Sequence, residues 1–374
     1  MDQDCKAASW SYGTFDQKPL DQSAALTSLK PQQQQQRKQH GHNNPTRMRL
    51  PWQKLMSFRV SSFVAGAGPS PPLLSALHPK QTLRGPFQRE QVRVRLSPAF
   101  NRKAHPNAAL ESSIDAVWGE YKERSPRLFN ATKFRLQAIR EQTGQSAQAN
   151  ELELDWGLTD YKTYLGTCCS ANVTRFIADG HALDENEDEF TYLSRKVGVA
   201  AVVETCDAHI ALIKRSKSVG VYQDMYDTPG GHPEPSNTGL TAESLAALES
   251  DAQREQLEAA AVHEFFASIV NEVHEEINLS ESELSAPPLL LGVVYQGEAS
   301  TPSFSFYMRT ERSAAELMEL YKAGPQDVFE SSKLELIEAH KLLSEDDPVF
   351  LDRLTPSARG SLLLWKEYFT SIRQ

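Results

Sequence analysis

The stretch Asp227-Thr-Pro-Gly-Gly-His-Pro-Glu-Pro235, followed by a helix whose last turns read Asn271-Glu-Val-His-Glu-Glu-Ile-Asn-Leu279, constrains this chain more than any other feature. Adjacent Gly230 and Gly231 allow a positive φ and a close approach of backbone to a ligand. Glu272, Glu275 and Glu276 fall at i, i+3 and i+4, a spacing that puts three carboxylates on one helix face. Like charges so close repel and cost stability unless something neutralises them. Mg²⁺ is the natural neutraliser, because it prefers carboxylate oxygen and keeps its other positions for water and substrate phosphates. Alone, the acidic triplet reads better as a solvated face. With a Gly-Gly-x-x-Glu loop upstream it reads as a metal site.

Composition narrows the classes that remain. The 374 residues suggest about two domains. Apolar residues at 40% and charged residues at 24% are enough for a buried core. No run of about 18 apolar residues occurs, which excludes an ordinary spanning helix and leaves no membrane partner to expect. Cys5, Cys168, Cys169 and Cys206 are too few and too irregular for a disulfide framework or a zinc site, so they read as thiols in a reducing compartment. The expected location is therefore cytoplasmic, with the nucleus as an additional compartment.

Charge is unevenly placed. Residues 1–90 carry twelve Lys/Arg against five Asp/Glu, and the other 284 carry 27 against 44, giving +7 and −17 for the total of −10. An acidic body lacks the basic face that a general nucleic-acid binder needs. The run Gln32–Gln36 and the Pro/Ser/Gly patch Gly66–Pro72 give residues 1–90 the composition of a disordered tail. The absence of any acidic residue between Asp21 and Glu90 admits a second reading as a mitochondrial targeting segment, and a third, weaker one as a basic RNA-binding arm.

Folded sequence is expected from residue 91. Alternation over Gln91–Leu96 predicts a strand, and the stripe Ile114, Val117, Trp118, Tyr121 predicts a helix over Ser113–Arg124 capped by Ser113. A further helix is expected over Ala171–Asp179, making residues 91–195 a small α+β unit. From residue 196 the apolar, β-branched runs Val197–Glu204 and His209–Lys214 predict a hairpin. A polar insertion at about 236–254 precedes the helix Arg254–Ile277. Strands are expected over Leu289–Val294, Ser303–Met308 and Lys333–Ile337. Helices are expected over Ala314–Lys322 and, amphipathic and closing the chain, over Ser357–Ile372.

The acidic helix resembles one end of the Nudix box, G-x5-E-x7-R-E-U-x-E-E-x-G-U with U aliphatic. Gly231 matches the first position, and Glu272, Val273, Glu275, Glu276 and Leu279 match the end. Asn271 replaces the Arg, Asn278 the Gly, and His263 falls where the first Glu belongs. Gly231 and Glu272 are 41 residues apart, 26 more than in the ordinary box. Further phrases, Ser97-Pro98, Leu128-Phe129, Lys133-Phe-Arg-Leu136, Gly157-Leu-Thr159 with Tyr161, Leu165-Gly-Thr167, Arg215-Ser216 and Pro229–Pro235, resemble the UDP-glucose pyrophosphatases of the Nudix superfamily over roughly residues 91–370. The resemblance implies an α/β fold, a Nudix-type mixed sheet sandwiched by helices with a smaller N-terminal α+β lobe. It also implies Mg²⁺-dependent hydrolysis of UDP-glucose or UDP-galactose to UMP and sugar 1-phosphate.

Cleaving a diphosphate requires charge neutralisation, a positioned water and a held leaving group. Glu272 and Glu276, one turn apart, are the expected metal ligands, and Glu275 is either an outer ligand or the base that orients water. Glu234 can add a carboxylate to metal or sugar. Arg215, at a strand end before the loop, can fork onto the diphosphate. His232, stiffened between Gly231 and Pro233, is expected to hydrogen-bond phosphate or sugar. Asp227 is either a uracil or ribose acceptor or a strand-end cap. Phe129 and Tyr161 read as core aromatics by composition; the resemblance implies that they clamp the uridine. Two rival readings stand beside this one: a Nudix hydrolase of another nucleoside diphosphate such as ADP-ribose or coenzyme A, and a catalytically silent binding module.

Overall fold

The computed structural model describes residues 58–62, 86–143, 150–183, 188–216, 222–247, 250–324, 331–344 and 348–372. The architecture is mixed α/β. Its strands in chain order are β1 (Phe58–Ser62), β2 (Val92–Leu96), β3 (Thr132–Thr143), β4 (Asn150–Asp160), β5 (Gly198–Glu204), β6 (His209–Arg215), β7 (Tyr226–Asp227), β8 (Gly230–Gly231), β9 (Leu289–Gln296), β10 (Thr301–Arg309) and β11 (Ser331–Glu338). The helices used below are α1 (Ala108–Arg124), α2 (Tyr161–Thr167), α3 (Val173–His181), α4 (Ala242–Ala246), α5 (Asp251–Ile277), α6 (Ala314–Lys322), α7 (Ala339–Ser344), α8 (Pro348–Leu351) and α9 (Pro356–Ser371).

The large sheet runs β1-β9-β10-β5-β6-β11, with β7 added to β6 and β8 to β5; β10 and β5 are parallel. Every residue of β5 is buried, as expected of a central strand covered on both faces. Period-2 alternation divides those residues: Val199, Ala201 and Val203 join the core under α5, while Val202 joins the cluster under α9 with Leu362, Leu364 and Trp365. A second sheet, β2-β4-β3, is built onto the first of these cores. Phe265 of α5 meets Trp156 of β4 edge-on at 5.2 Å and Phe304 and Phe306 of β10 at 5.1 and 5.2 Å. Arg135 of β3, fully buried, ties that sheet inward by donating to the carbonyls of Phe100, Phe190 and Leu193 and to Asp188.

Several expectations need correction. Phe58–Ser62, assigned above to the tail, is a strand antiparallel to β9, and Phe87, also inside that stretch, is buried and exchanges two backbone bonds with Leu290. Composition cannot see this, because a partner strand supplies the pairing. Gln32–Gln36 and Gly66–Pro72 lie outside the described residues. Helix α1 starts at Ala108, capped by the Asn107 side chain, which accepts from the N–H groups of Ala109 and Leu110; Ser113 instead donates to the Leu110 carbonyl inside the helix. The hairpin of β5 and β6 pairs only at its turn, Glu204 with Ile210, since β8 and β10 take the flanks of β5 and β7 and β11 those of β6. Part of the polar insertion forms the short helix α4, and α5 begins at Asp251. Among the described residues no helix is long and apolar enough to cross a membrane.

Candidate functional site

Helix α5 and the loop Gly230–Pro235 form the site. The helix packs by Ala261, Phe265, Ile269, Val273 and Ile277, an unbroken i, i+4 row against the large sheet. The neighbouring i, i+4 row, Glu264, Ser268, Glu272 and Glu276, thereby turns toward the loop. The Gly230 N–H donates to Glu276 Oε2 at 2.9 Å and the His232 N–H to Glu272 Oε1 at 3.3 Å. Two residues of extended loop advance about 6.6 Å and four residues of helix about 6 Å, so alternate loop amides meet successive helical turns. Neither glycine leaves room for a Cβ, Gly231 because it abuts α5 and Gly230 because it abuts β5. A Cβ on Gly231 would lie 1.7 Å from Glu272 Oε1, and one on Gly230 would lie 2.3 Å from the Val199 carbonyl oxygen.

Glu276 is buried and Glu272 half-buried, whereas Glu275 is exposed and makes none of these loop bonds. The loop therefore gathers two of the three expected carboxylates. Among the described residues no group of three or more His, Cys, Asp or Glu side chains could hold a metal ion as arranged. A pair still suits Mg²⁺, which takes one or two carboxylates and fills the rest of its octahedron with water and phosphate oxygens. Each carboxylate has about four acceptor positions, so one N–H bond and one metal are compatible on the same group.

Glu264 plays a part that the box spacing concealed. Buried on α5, its Oε1 accepts from the Glu234 N–H at 2.8 Å and from Asn237 Nδ2 at 3.0 Å, and so fixes the exit of the loop. The box pointed to position 263; stepping back by fours from Glu276 and Glu272 would have reached it. Glu234 itself pairs with Lys133 of β3 and so joins the loop to the small sheet. Asn278, where the box has Gly, takes the left-handed conformation at φ 59° that closes α5 and donates from Nδ2 to the Leu320 carbonyl at 2.8 Å.

The basic residues cluster on the other side of the loop. Arg215 and Asp227, on neighbouring β6 and β7, pair at 3.3 Å. Asp227 also accepts from Thr355 Oγ1 at 2.7 Å and from the Thr228 N–H at 3.0 Å, while burial pushes its carboxyl above the usual range against the pull of Arg215. The His232 imidazole contacts the Lys196 ammonium. Burial first, then Lys196, Lys133 and Arg215, hold His232 well below the ordinary histidine value and keep it neutral. Lys196, which sequence reasoning passed over, marks itself only as a charged residue at the head of the apolar run that becomes β5.

Phe129 is 74% exposed, so the reading of it as a core aromatic fails. Tyr161, at the start of α2, stacks on Tyr164 at 6.0 Å, and its N–H donates to the Ala131 carbonyl, which holds α2 against the Phe129 loop.

Comparison with known proteins gives relatives along most of the chain. The chain is 30% identical over 285 residues to "Uridine diphosphate glucose pyrophosphatase NUDT22" of Mus musculus, covering 76% of this chain and 88% of that one. The protein of that name from Homo sapiens is 30% identical over 282 residues, covering 75% and 89%. "Nudix hydrolase 9" of Arabidopsis thaliana is 31% identical over 255 residues, covering 67% and 79%. No family model matches the chain. On the strength of these relatives the chain belongs to the Nudix hydrolases.

Proposed function

We propose that this Nudix hydrolase cleaves the diphosphate of a UDP-sugar, UDP-glucose or UDP-galactose, adding water to give UMP and the sugar 1-phosphate, with Mg²⁺ as cofactor. The observation that carries the reading is the pair Glu272 and Glu276 held against Gly230–Gly231 by loop N–H groups. Relatives named for UDP-glucose support the substrate class. Glu272 and Glu276 would hold the metal, which supplies charge neutralisation at the phosphoryl oxygens and lowers the pKa of a bound water.

The chain's own residues do the rest. The buried Glu276 is fixed by the Gly230 N–H, which orients its carboxylate before any ligand arrives. Exposed Glu275, one helical step away, faces solvent, where it can orient the attacking water as a base. A guanidinium carries five donors, so Arg215 can stay paired with Asp227 and still fork onto a phosphate. Neutral His232 offers a hydrogen bond rather than a charge. Exposed Phe129, with Tyr161 behind the same loop, suits stacking on a uracil face.

Product analysis tests this reading. Incubation with UDP-glucose, UDP-galactose and ADP-ribose, in Mg²⁺ and in EDTA, is expected to release UMP from the UDP-sugars in Mg²⁺ alone. AMP from ADP-ribose, with the UDP-sugars untouched, would reassign the substrate class.

A further inference from the structure

We propose that Lys196 is a phosphate-binding residue of this site, its ammonium receiving an oxygen of the substrate diphosphate beside His232 and Lys133. This rests on the UDP-sugar reading only for the identity of the diphosphate.

Lys196 is 8% exposed and lies between the sheets, bridged by backbone to Arg135 of β3 and leading into β5. Its Nζ contacts His232 Nε2 and lies 4.6 Å above the centre of the Tyr164 ring. Among the described residues it makes no ion pair. Lysine is almost never so buried without a carboxylate, because an unpaired charge loses its hydration.

The groups around it deepen the deficit. Lys133 faces it from β3, Arg215 from β6 and His232 from the loop, while the thiols of Cys168 and Cys169 lie on the turn after α2. Lys133 has Glu234 and Arg215 has Asp227, but among the described residues nothing anionic answers Lys196. Burial first, and Lys133 next, push its ammonium down to about 7. A structural lysine would bring its counter-ion with it; this one is arranged to receive one. The missing anion is close to the metal carboxylates, since the His232 N–H donates to Glu272 while its ring meets Lys196. A diphosphate that spans the two positions satisfies both, with lysine acting as a point charge on phosphate.

The test uses inorganic pyrophosphate in EDTA, so that neither turnover nor metal enters, followed by isothermal calorimetry in two buffers of different ionisation enthalpy. Free Lys196 is largely deprotonated at about pH 8 and an adjacent phosphate raises its pKa. Wild-type binding is therefore expected to take up a proton at that pH, an uptake that fades toward about pH 6, where the free lysine is already charged. Lys196→Met and Lys196→Gln are expected to bind pyrophosphate at least about tenfold more weakly, without that uptake, and Lys196→Arg to retain binding. In Mg²⁺, Lys196→Met is expected to raise KM for UDP-glucose about tenfold and to change kcat by less than about threefold. A merely structural lysine would lower the melting temperature and leave affinity and proton uptake as they were. Wild-type affinity in a folded Met or Gln variant, or no proton uptake by the wild-type protein, overturns the proposal. Lys196-dependent pyrophosphate binding by a protein that leaves UDP-glucose untouched would instead overturn the substrate reading and keep the lysine.

Discussion

At Gly231 the difference between a hydrogen and a methyl group decides whether the acidic helix can touch the loop. The missing Cβ leaves the space that Glu272 Oε1 fills. Gly231→Ala is expected to fold, because the obstructed group is the end of a flexible side chain. It is expected to lose about 100-fold in kcat as the carboxylate moves off by the order of an ångström; steady-state kinetics on the folded variant checks this. Phe129 tests the opposite case. At 74% exposure it contributes little to packing, so Phe129→Ala is expected to keep the wild-type melting temperature and to raise KM several-fold through lost stacking. The glycines and the acidic cluster were legible in the sequence because each obeys a local rule, close backbone approach or i, i+4 spacing; the positive φ that glycine also allows is adopted by neither Gly230 nor Gly231. Lys196 was not. Its meaning lies in what it lacks among the described residues, a carboxylate partner, and that is a property of three-dimensional surroundings.

Helix α5 carries the site and its own stop signal. Asn278 at φ 59° is the residue most tolerant of that conformation after glycine, which explains how the chain dispenses with the box glycine. Asn278→Gly is expected to be nearly neutral, while a β-branched Asn278→Val is expected to cost about 1–2 kcal/mol from the left-handed backbone, readable by denaturant unfolding. Further up the helix, Glu264→Ala would strand the Glu234 N–H, at an expected cost of about 1–3 kcal/mol, and loosen the loop that Glu264 fixes. The helix was legible from its apolar period almost to its first residue. What the period could not show is that Glu275, grouped with Glu272 and Glu276 by spacing, lies off the row that faces the loop and is exposed. Three residues at i, i+3 and i+4 share a face about 100° wide, and the loop covers only part of it.

For the whole molecule, strand order was harder to read than strands. The apolar runs of β5, β6, β9 and β10 located their strands well. That β10 pairs in parallel with β5, leaving the expected hairpin joined only at its turn, depends on contacts remote in sequence. The edge strand β1 was hidden for the same reason. These pairings position the loop, because β5 carries the Gly-Gly strand β8 on one flank and brings it under α5. The small sheet then closes on the loop through Lys133 and Glu234 and on the core through Trp156 and Phe265.

The most direct measurement is the rate of UMP release from UDP-glucose in saturating Mg²⁺ by Glu272→Gln, beside the wild-type protein and with the melting temperature of both. Glutamine keeps the shape and the acceptor for the His232 N–H while removing the charge. The expected result is a folded protein slowed by at least about 100-fold. Turnover within a few-fold of wild type would contradict the assignment of Glu272 and Glu276 as the metal-holding pair.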